Sequence, residues 1–303
     1  MLKFVEKKKL FFTISVGLLL IGVVFGLVFG VNLDIQFKGG TIISYSYEGQ
    51  LDTGAFANTI EQVVQSPVSI QQSTDVVTGR PSIKVTLVES KGVSSEEMSQ
   101  LSETLAERFA ENKPVIVSTN SVDPTIGKEF LARSLAAVAL ASVLMIAYVG
   151  VRFRTIGGWS AGVMAVVALL HDVAFILATF VIFRMPLNDN FIAIVLTILG
   201  FSLNDTIVIY DRIRENKRLL GKKHAIGDLV NISINQSLTR TITTSVMTVL
   251  AMVVVLVVAL IYNVESIVSF ALPMIVGMIA GVYSSVCIAG PLWVMWQERD
   301  AAK

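Results

Sequence analysis

Six stretches of the chain run for about 20 residues with few polar side chains, the length a helix needs to cross a bilayer. They are Leu10–Gly30, Leu135–Val151, Ile156–Phe183, Phe191–Tyr210, Thr241–Tyr262 and Ile267–Trp296, the last read as shorter than its apolar run. Between the first and second the pattern changes. "TIISYSYE" and "SIKVTLVE" alternate or enrich β-formers as strands do, and "PVIVST" reads as a further short strand. "DTGAFANTIEQVV" and "SSEEMSQLSETLAERFA" open on Asp or Ser caps and continue with helical spacing. The order strand, helix, one or two strands, helix, strand predicts a small α+β, ferredoxin-like sandwich. The predicted architecture is a polytopic α-helical membrane protein with six transmembrane helices and one extracytoplasmic domain between helices 1 and 2. Residues 1–30 hold the N-terminus and first helix, 31–130 the outer domain, and 131–303 the remaining helices.

Composition agrees with this pattern. Of 303 residues, 53% are hydrophobic and 16% charged, against about 25% charged in a soluble domain. The first span lacks a small-residue cleavage site and is read as a retained anchor. Cys287, the sole cysteine, lies inside the sixth span, so no intramolecular disulfide can form. Lys3, Lys7, Lys8 and Lys9 precede the first span, Arg152 and Arg154 join the second to the third, and Arg212, Arg214, Lys217, Arg218, Lys222 and Lys223 follow the fourth. The opposite connections, Arg184–Asn190 and Asn263–Ser266, hold one basic residue, Arg184. The positive-inside rule places both termini in the cytoplasm and residues 31–130 outside. Acidic residues outnumber basic ones in that domain, which argues against a nucleic-acid partner.

The informative polar groups lie within the spans, where an ionised carboxylate costs roughly 2.5 kcal/mol or more. "LLHDVAF" sets His171 and Asp172 near the middle of the third span, and "FSLNDTIVIYDRIREN" carries Asn204 and Asp205 in the fourth. Counted from the turn near Pro186, helical rise puts Asp172 and Asp205 roughly 21 and 28 Å deep. The fifth span offers Ser233, Gln236/Ser237, Arg240, Thr243/Thr244 and Thr248 at helical spacing. Arg240 is the expected partner of Asp205, and carboxylate, arginine and hydroxyl ladder together suggest a proton path. Each has a structural alternative: a buried hydrogen-bonding Asp, a packed His171, an Arg240 that snorkels to the interface. Asp211 and Arg214 are read as interfacial charges able to pair. Gly277-x-x-x-Gly281, with Ser284 and Ser285 beyond it, reads as helix packing. "GWSAG", residues 158–162, matches a hydrolase nucleophile pattern, but it opens an apolar helix, and His171 lies roughly 16 Å further along the axis from Ser160. Neither a phosphate-binding G-x-x-x-x-G-K-[ST] loop nor a zinc-binding H-E-x-x-H occurs, so no enzyme activity, cofactor or metal is signalled.

"GFSLNDTIVIYDRIREN", "NISINQSLTRTITTS", "HDV", "VYSSV" and the early "FKGGT", which contains Gly39 and Gly40, resemble the SecD/SecF family of protein-export membrane proteins over nearly the whole chain. Two positions depart from the family pattern: its Gly-Ile-Asp-Phe is Asp34-Ile35-Gln36-Phe37 here, and its Gly-Pro is Asp123-Pro124. The resemblance implies a SecF-type subunit of the bacterial cytoplasmic membrane that pairs with SecD and assists the SecYEG channel. Proton flow would then help complete export of unfolded preproteins, with kinship to the resistance-nodulation-division transporters. Six helices and one domain also look like half of a pseudo-symmetric transporter. Asp205 is then expected to bind the proton, with Arg240, Asn204, Asp172, His171 and Thr244 as candidates along its path. The alternatives are half of a drug or lipid exporter, with an amphipathic pocket in the outer domain, and a passive scaffold.

Overall fold

In the computed structural model every apolar run is a helix, and most helices continue past the run that predicts them. The structure describes residues 2–74, 81–88, 93, 95–221, 224–262 and 264–301; the expectations that rest on Glu89, Ser94, Lys222, Lys223 and Asn263 lie outside them. In chain order the elements are α1 (Lys8–Phe29), α2 (Ile35–Lys38), β1 (Gly40–Ser46), α3 (Thr53–Val64), β2 (Val68–Thr74), β3 (Pro81–Val88), α4 (Ser95–Arg108), β4 (Val115–Val122), α5 (Pro124–Arg152), α6 (Gly158–Ile182), α7 (Asp189–Leu220), α8 (Ile226–Ile261), α9 (Glu265–Ser284) and α10 (Gly290–Ala301). Contacts divide the chain into a helical unit, Met1–Asn32 with Ala136–Leu260 and Glu265–Lys303, and a smaller unit, Leu33–Leu135 with Ile261–Val264.

Six helices in the described residues are long and apolar enough to cross a membrane. The sixth helix does not end within its apolar run. A π-helical turn, Ser285–Ala289, joins α9 to α10, so the helix runs beyond its apolar stretch at both ends. Within the helical unit α6, α7 and α9 supply most of the buried side chains, while α5 and α8 leave Leu140, Leu144, Val254 and Leu260 open, as lipid-facing or partner-facing surfaces do. The segment before α1 is tied to α8. The Leu2 and Val5 amides donate to the side-chain oxygens of Asn235 (2.9 Å) and Asn231 (3.0 Å), and Asn235 Nδ2 donates back to the Leu2 carbonyl (2.8 Å). Asn231 Nδ2 also donates to Glu6 (2.8 Å), which holds that carboxyl below the usual range.

The smaller unit has the ferredoxin-like order, an antiparallel sheet β2-β3-β1-β4 crossed by α3 and α4. β2, the optional strand of the predicted order, is present and completes the second hairpin. Alternation along β1 and the residue just past it points Ile43, Tyr45 and Tyr47 inward, where they meet Ile83, Val85 and Leu87 of β3, Phe56 and Ile60 of α3, and Leu101 and Leu105 of α4. Asp52 starts α3 by accepting from the Gly54 and Ala55 amides (2.9 and 3.1 Å).

Both departures from the family pattern are helix caps. Asp34 accepts from the Gln36 amide (3.1 Å) and opens α2, a four-residue helix that sequence periodicity does not reveal. Asp123 accepts from the Thr125 amide (2.7 Å) with Pro124 at the first helical position of α5, and those bonds hold its carboxyl below its ordinary range. Gly39 and Gly40 then turn the chain into β1 with φ of 81° and 134°. A side chain on Gly39 would collide with the backbone of Pro124, and one on Gly40 with the carbonyl of Leu87.

Gly39→Ala and Gly40→Ala each combine a left-handed backbone with a collision, and each should destabilise the small unit by about 1–3 kcal/mol or more. Thermal unfolding and protease resistance of the full chain would show it, and unaltered melting would contradict the turn. Tyr45 is buried with its hydroxyl unpartnered among the described residues, and burial raises that phenol far above its usual range. Tyr45→Phe should therefore be neutral or stabilising by about 1 kcal/mol; a clear loss in melting temperature would mean that the hydroxyl has a partner.

Candidate functional site: a buried carboxylate seam

Small residues let three helices approach closely enough to enclose a carboxylate. On α9, a side chain at Gly277 would sit 2.9 Å from Ile198 and 3.0 Å from Ile176, and one at Gly281 would sit 2.9 Å from the Ser202 Cβ. The Gly277/Gly281 pair is thus the contact surface of α9 with α6 and α7.

Asp172, on α6, is 0% exposed. Its Oδ2 accepts from Ser202 Oγ of α7 (2.7 Å) and Ser284 Oγ of α9 (2.9 Å), while Oδ1 lies 3.1 Å from His171 Nδ1. A second layer lies beside it: Ser285 Oγ donates to the Ser202 carbonyl (3.1 Å) and is 2.9 Å from Thr206 Oγ1. Ser284 and Ser285 are sequence neighbours, yet both face the bundle where the α-helix passes into the wider π turn. His171 stacks on Tyr283 (6.1 Å) and packs tilted against Phe175 (4.6 Å), and its Nε2 is buried with no hydrogen-bond partner among the described residues. Tyr283 in turn donates to the Phe11 carbonyl of α1 (2.7 Å).

Asp205 is 4% exposed and faces α8, where Ser245 Oγ donates to its Oδ2 at 3.3 Å. The expected ion pair with Arg240 is not formed. Arg240 is exposed and forms no ion pair with any described carboxylate. The reason lies in helix geometry. The buried stripe of α8 is Ser233, Ser237, Thr241 and Ser245, spaced four apart, and Arg240 lies one residue off it, on the open face. Thr244 is open as well, its hydroxyl turned back onto the Arg240 carbonyl (2.9 Å). Asn204 is exposed beside the buried Asp205, since successive helical residues point about 100° apart. At the polar end of the stripe Asn216 donates to Ser233 Oγ (2.9 Å) and Gln236 Oε1 (2.8 Å). Asp172 and Asp205 are therefore brought into one bundle with His171, whereas Arg240, Thr244 and Asn204 stand outside its buried part.

Sequence reasoning misses Ser202, Thr206 and Ser245. A hydroxyl pair four apart on α7, next to an acid, is the signal for the first two; Ser245 continues the four-residue spacing from Ser233. Ser160 of the "GWSAG" stretch is structural: its Oγ donates to the Gly157 carbonyl (2.7 Å) and accepts from Trp293 Nε1 (3.2 Å) and Gln297 Nε2 (3.0 Å). Asp211 pairs with both Arg214 (2.7 Å) and Arg152 (3.2 Å). No group of three or more His, Cys, Asp or Glu able to hold a metal occurs among the described residues.

Residues 101–299 match the family described as "Protein export membrane protein SecD/SecF, C-terminal". The chain is 30% identical over 302 residues to the protein translocase subunit SecF of Alicyclobacillus acidocaldarius, covering 99% of this chain and 94% of that one. It is 34% identical to SecF of Calditerrivibrio nitroreducens, covering 95% and 92% of the two chains. It is also 35% identical to the protein translocase subunit SecDF of Bacillus subtilis, where it covers 99% of this chain but spans only 39% of the relative. The crystal structure of SecDF from Thermus thermophilus, described as a translocon-associated membrane protein, superposes with a TM-score of 0.80 at 30% identity, over 98% of this chain and 39% of that one. Six spans, the inserted four-stranded domain and these likenesses lead to one conclusion: the chain belongs to the SecD/SecF family of protein-export membrane proteins.

Proposed function

We propose that this multi-pass membrane protein is the SecF-type accessory subunit of a Sec translocase in a bacterial cytoplasmic membrane. Both termini face the cytoplasm, as the distribution of Lys and Arg favours. Its partner is a SecD-type subunit. In the SecDF relatives a segment like this chain makes up 39% of the polypeptide, which leaves room for a companion of similar build. Together they act beside the SecYEG channel on unfolded preproteins emerging on the outer side, where the small α+β unit is the working arm.

The energy source in this reading is the proton motive force, worth about 2.3 kcal/mol per charge per 100 mV. One observation carries it: two carboxylates, Asp172 and Asp205, are sealed among apolar helices with hydroxyls and a histidine as their hydrogen-bond partners. Their roles differ. Asp172, held by two serine hydroxyls and His171, fixes the bundle. Asp205 has one long hydroxyl contact among the described residues and is the group free to take up and release a proton. Arg240, open on the α8 surface, is available to approach Asp205 when the partner subunit covers that surface or when α7 and α8 shift. Movement of charge within the membrane then has to be transmitted to the outer domain, since the two events occur in different places.

Asp205→Asn keeps the shape of the side chain but cannot titrate. It should assemble at wild-type level, while gradient-stimulated export falls to the rate seen in uncoupled membranes. Export into inverted vesicles at a fixed gradient measures this. Wild-type stimulation in the variant would remove Asp205 from the proton path and leave it a structural hydrogen-bonder.

A further inference from the structure

Away from the carboxylate seam a cavity of about 470 Å³ opens where the ends of α5, α6 and α10 meet. That volume is within the range of about 300–1,000 Å³ typical of small-ligand sites. Gly150, Gly157 and Gly158 bring no side chains to fill its floor, and Ser160 holds Gln297 of α10 at one wall. The rim bears two large indoles and two opposite charges: Trp159, Trp296, Arg154 and Asp300.

The charges on this rim differ from their neighbours. Nearby, Arg152 and Arg214 are engaged with Asp211, and Lys217 donates to the Thr155 carbonyl. Arg154 and Asp300 are exposed, and neither forms an ion pair with a described residue. Trp159 is 66% exposed and Trp296 42%. Both stand at the ends of apolar spans, on the side rich in Arg and Lys. Indoles at that depth sit at the level of lipid headgroups, and a guanidinium binds a phosphate through parallel N–H···O contacts.

We infer that this cavity binds the headgroup of a zwitterionic glycerophospholipid bearing a primary amine. Arg154 takes the phosphate, Asp300 accepts from the ammonium group, and the two indoles flank the glycerol and the upper acyl chains. An anionic lipid such as phosphatidylglycerol satisfies Arg154 and leaves Asp300 without a counter-charge. Phosphatidylcholine brings a cation that cannot donate a hydrogen bond. A soluble anion leaves the exposed indoles uncovered.

The purified, delipidated full chain in detergent would be titrated with phosphatidylethanolamine, phosphatidylglycerol and phosphatidylcholine and followed by native mass spectrometry. One molecule of phosphatidylethanolamine should bind about tenfold more tightly than the others, the effect of one charge-assisted hydrogen bond. Arg154→Gln should weaken all three by about tenfold, and Asp300→Asn should erase the preference while leaving phosphatidylglycerol binding unaltered. Melting temperatures equal to wild type establish that both variants are folded. Equal affinity for the three lipids, or a preference that survives both substitutions in folded protein, would overturn the assignment. So would soluble phosphoethanolamine binding as tightly as the lipid, which would make this a site for a soluble compound.

Discussion

A carboxylate with no exposed surface fixes the arrangement of the helices around it. Asp172 cannot be accommodated between α6, α7 and α9 unless donors reach it, because an unpaired acid in an apolar bundle loses its hydration without return. Each neighbouring element carries a concession to that need. α7 places Ser202 opposite the acid, α9 gives up a side chain at Gly281 so that Ser202 fits, and the π turn brings Ser284 and Ser285 to the same face. Sliding any of the three helices by one turn, about 5.4 Å, would break these bonds together. The registry of the central bundle is therefore set by these polar contacts together with the close apolar fit at Gly277.

α7 carries both halves of the buried seam. Ser202 looks toward Asp172 on α6 and Thr206 toward Ser285 of the π turn, and Asp205 looks toward Ser245 on α8. A rotation of α7 about its axis moves both sets of contacts together, so the environments of the two acids are linked through one rigid element.

The six spans are legible in the sequence because little besides a membrane crossing uses about 20 apolar residues in a row. Their ends are less so: α7 continues to Leu220 and α8 begins at Ile226, because a helix does not stop where lipid stops. The ferredoxin-like order follows from alternation and caps, but α2 is invisible, being four residues held by one Asx contact and by the burial of Ile35 and Phe37. Within the site, residue type identifies the acids and spacing misidentifies a partner. α8 has two polar stripes one residue apart, and periodicity alone does not say which one faces the bundle. Open hydroxyls on such a helix bond their own backbone, as Thr244 does with the Arg240 carbonyl and Thr248 with that of Thr244. A chain of such residues looks like a hydroxyl ladder in sequence without forming one in three dimensions.

The tie between Val5 and Asn231 has a consequence for the order of events during synthesis. The two residues are 226 positions apart. At roughly 5–20 residues per second, the amide of Val5 waits roughly 10–45 s for its acceptor. The segment ahead of α1 stays hydrated through the insertion of the first four spans and docks only when α8 appears. Its docking therefore reports that the chain has been made and threaded at least as far as α8, and a truncated product would leave that segment loose and open to proteolysis.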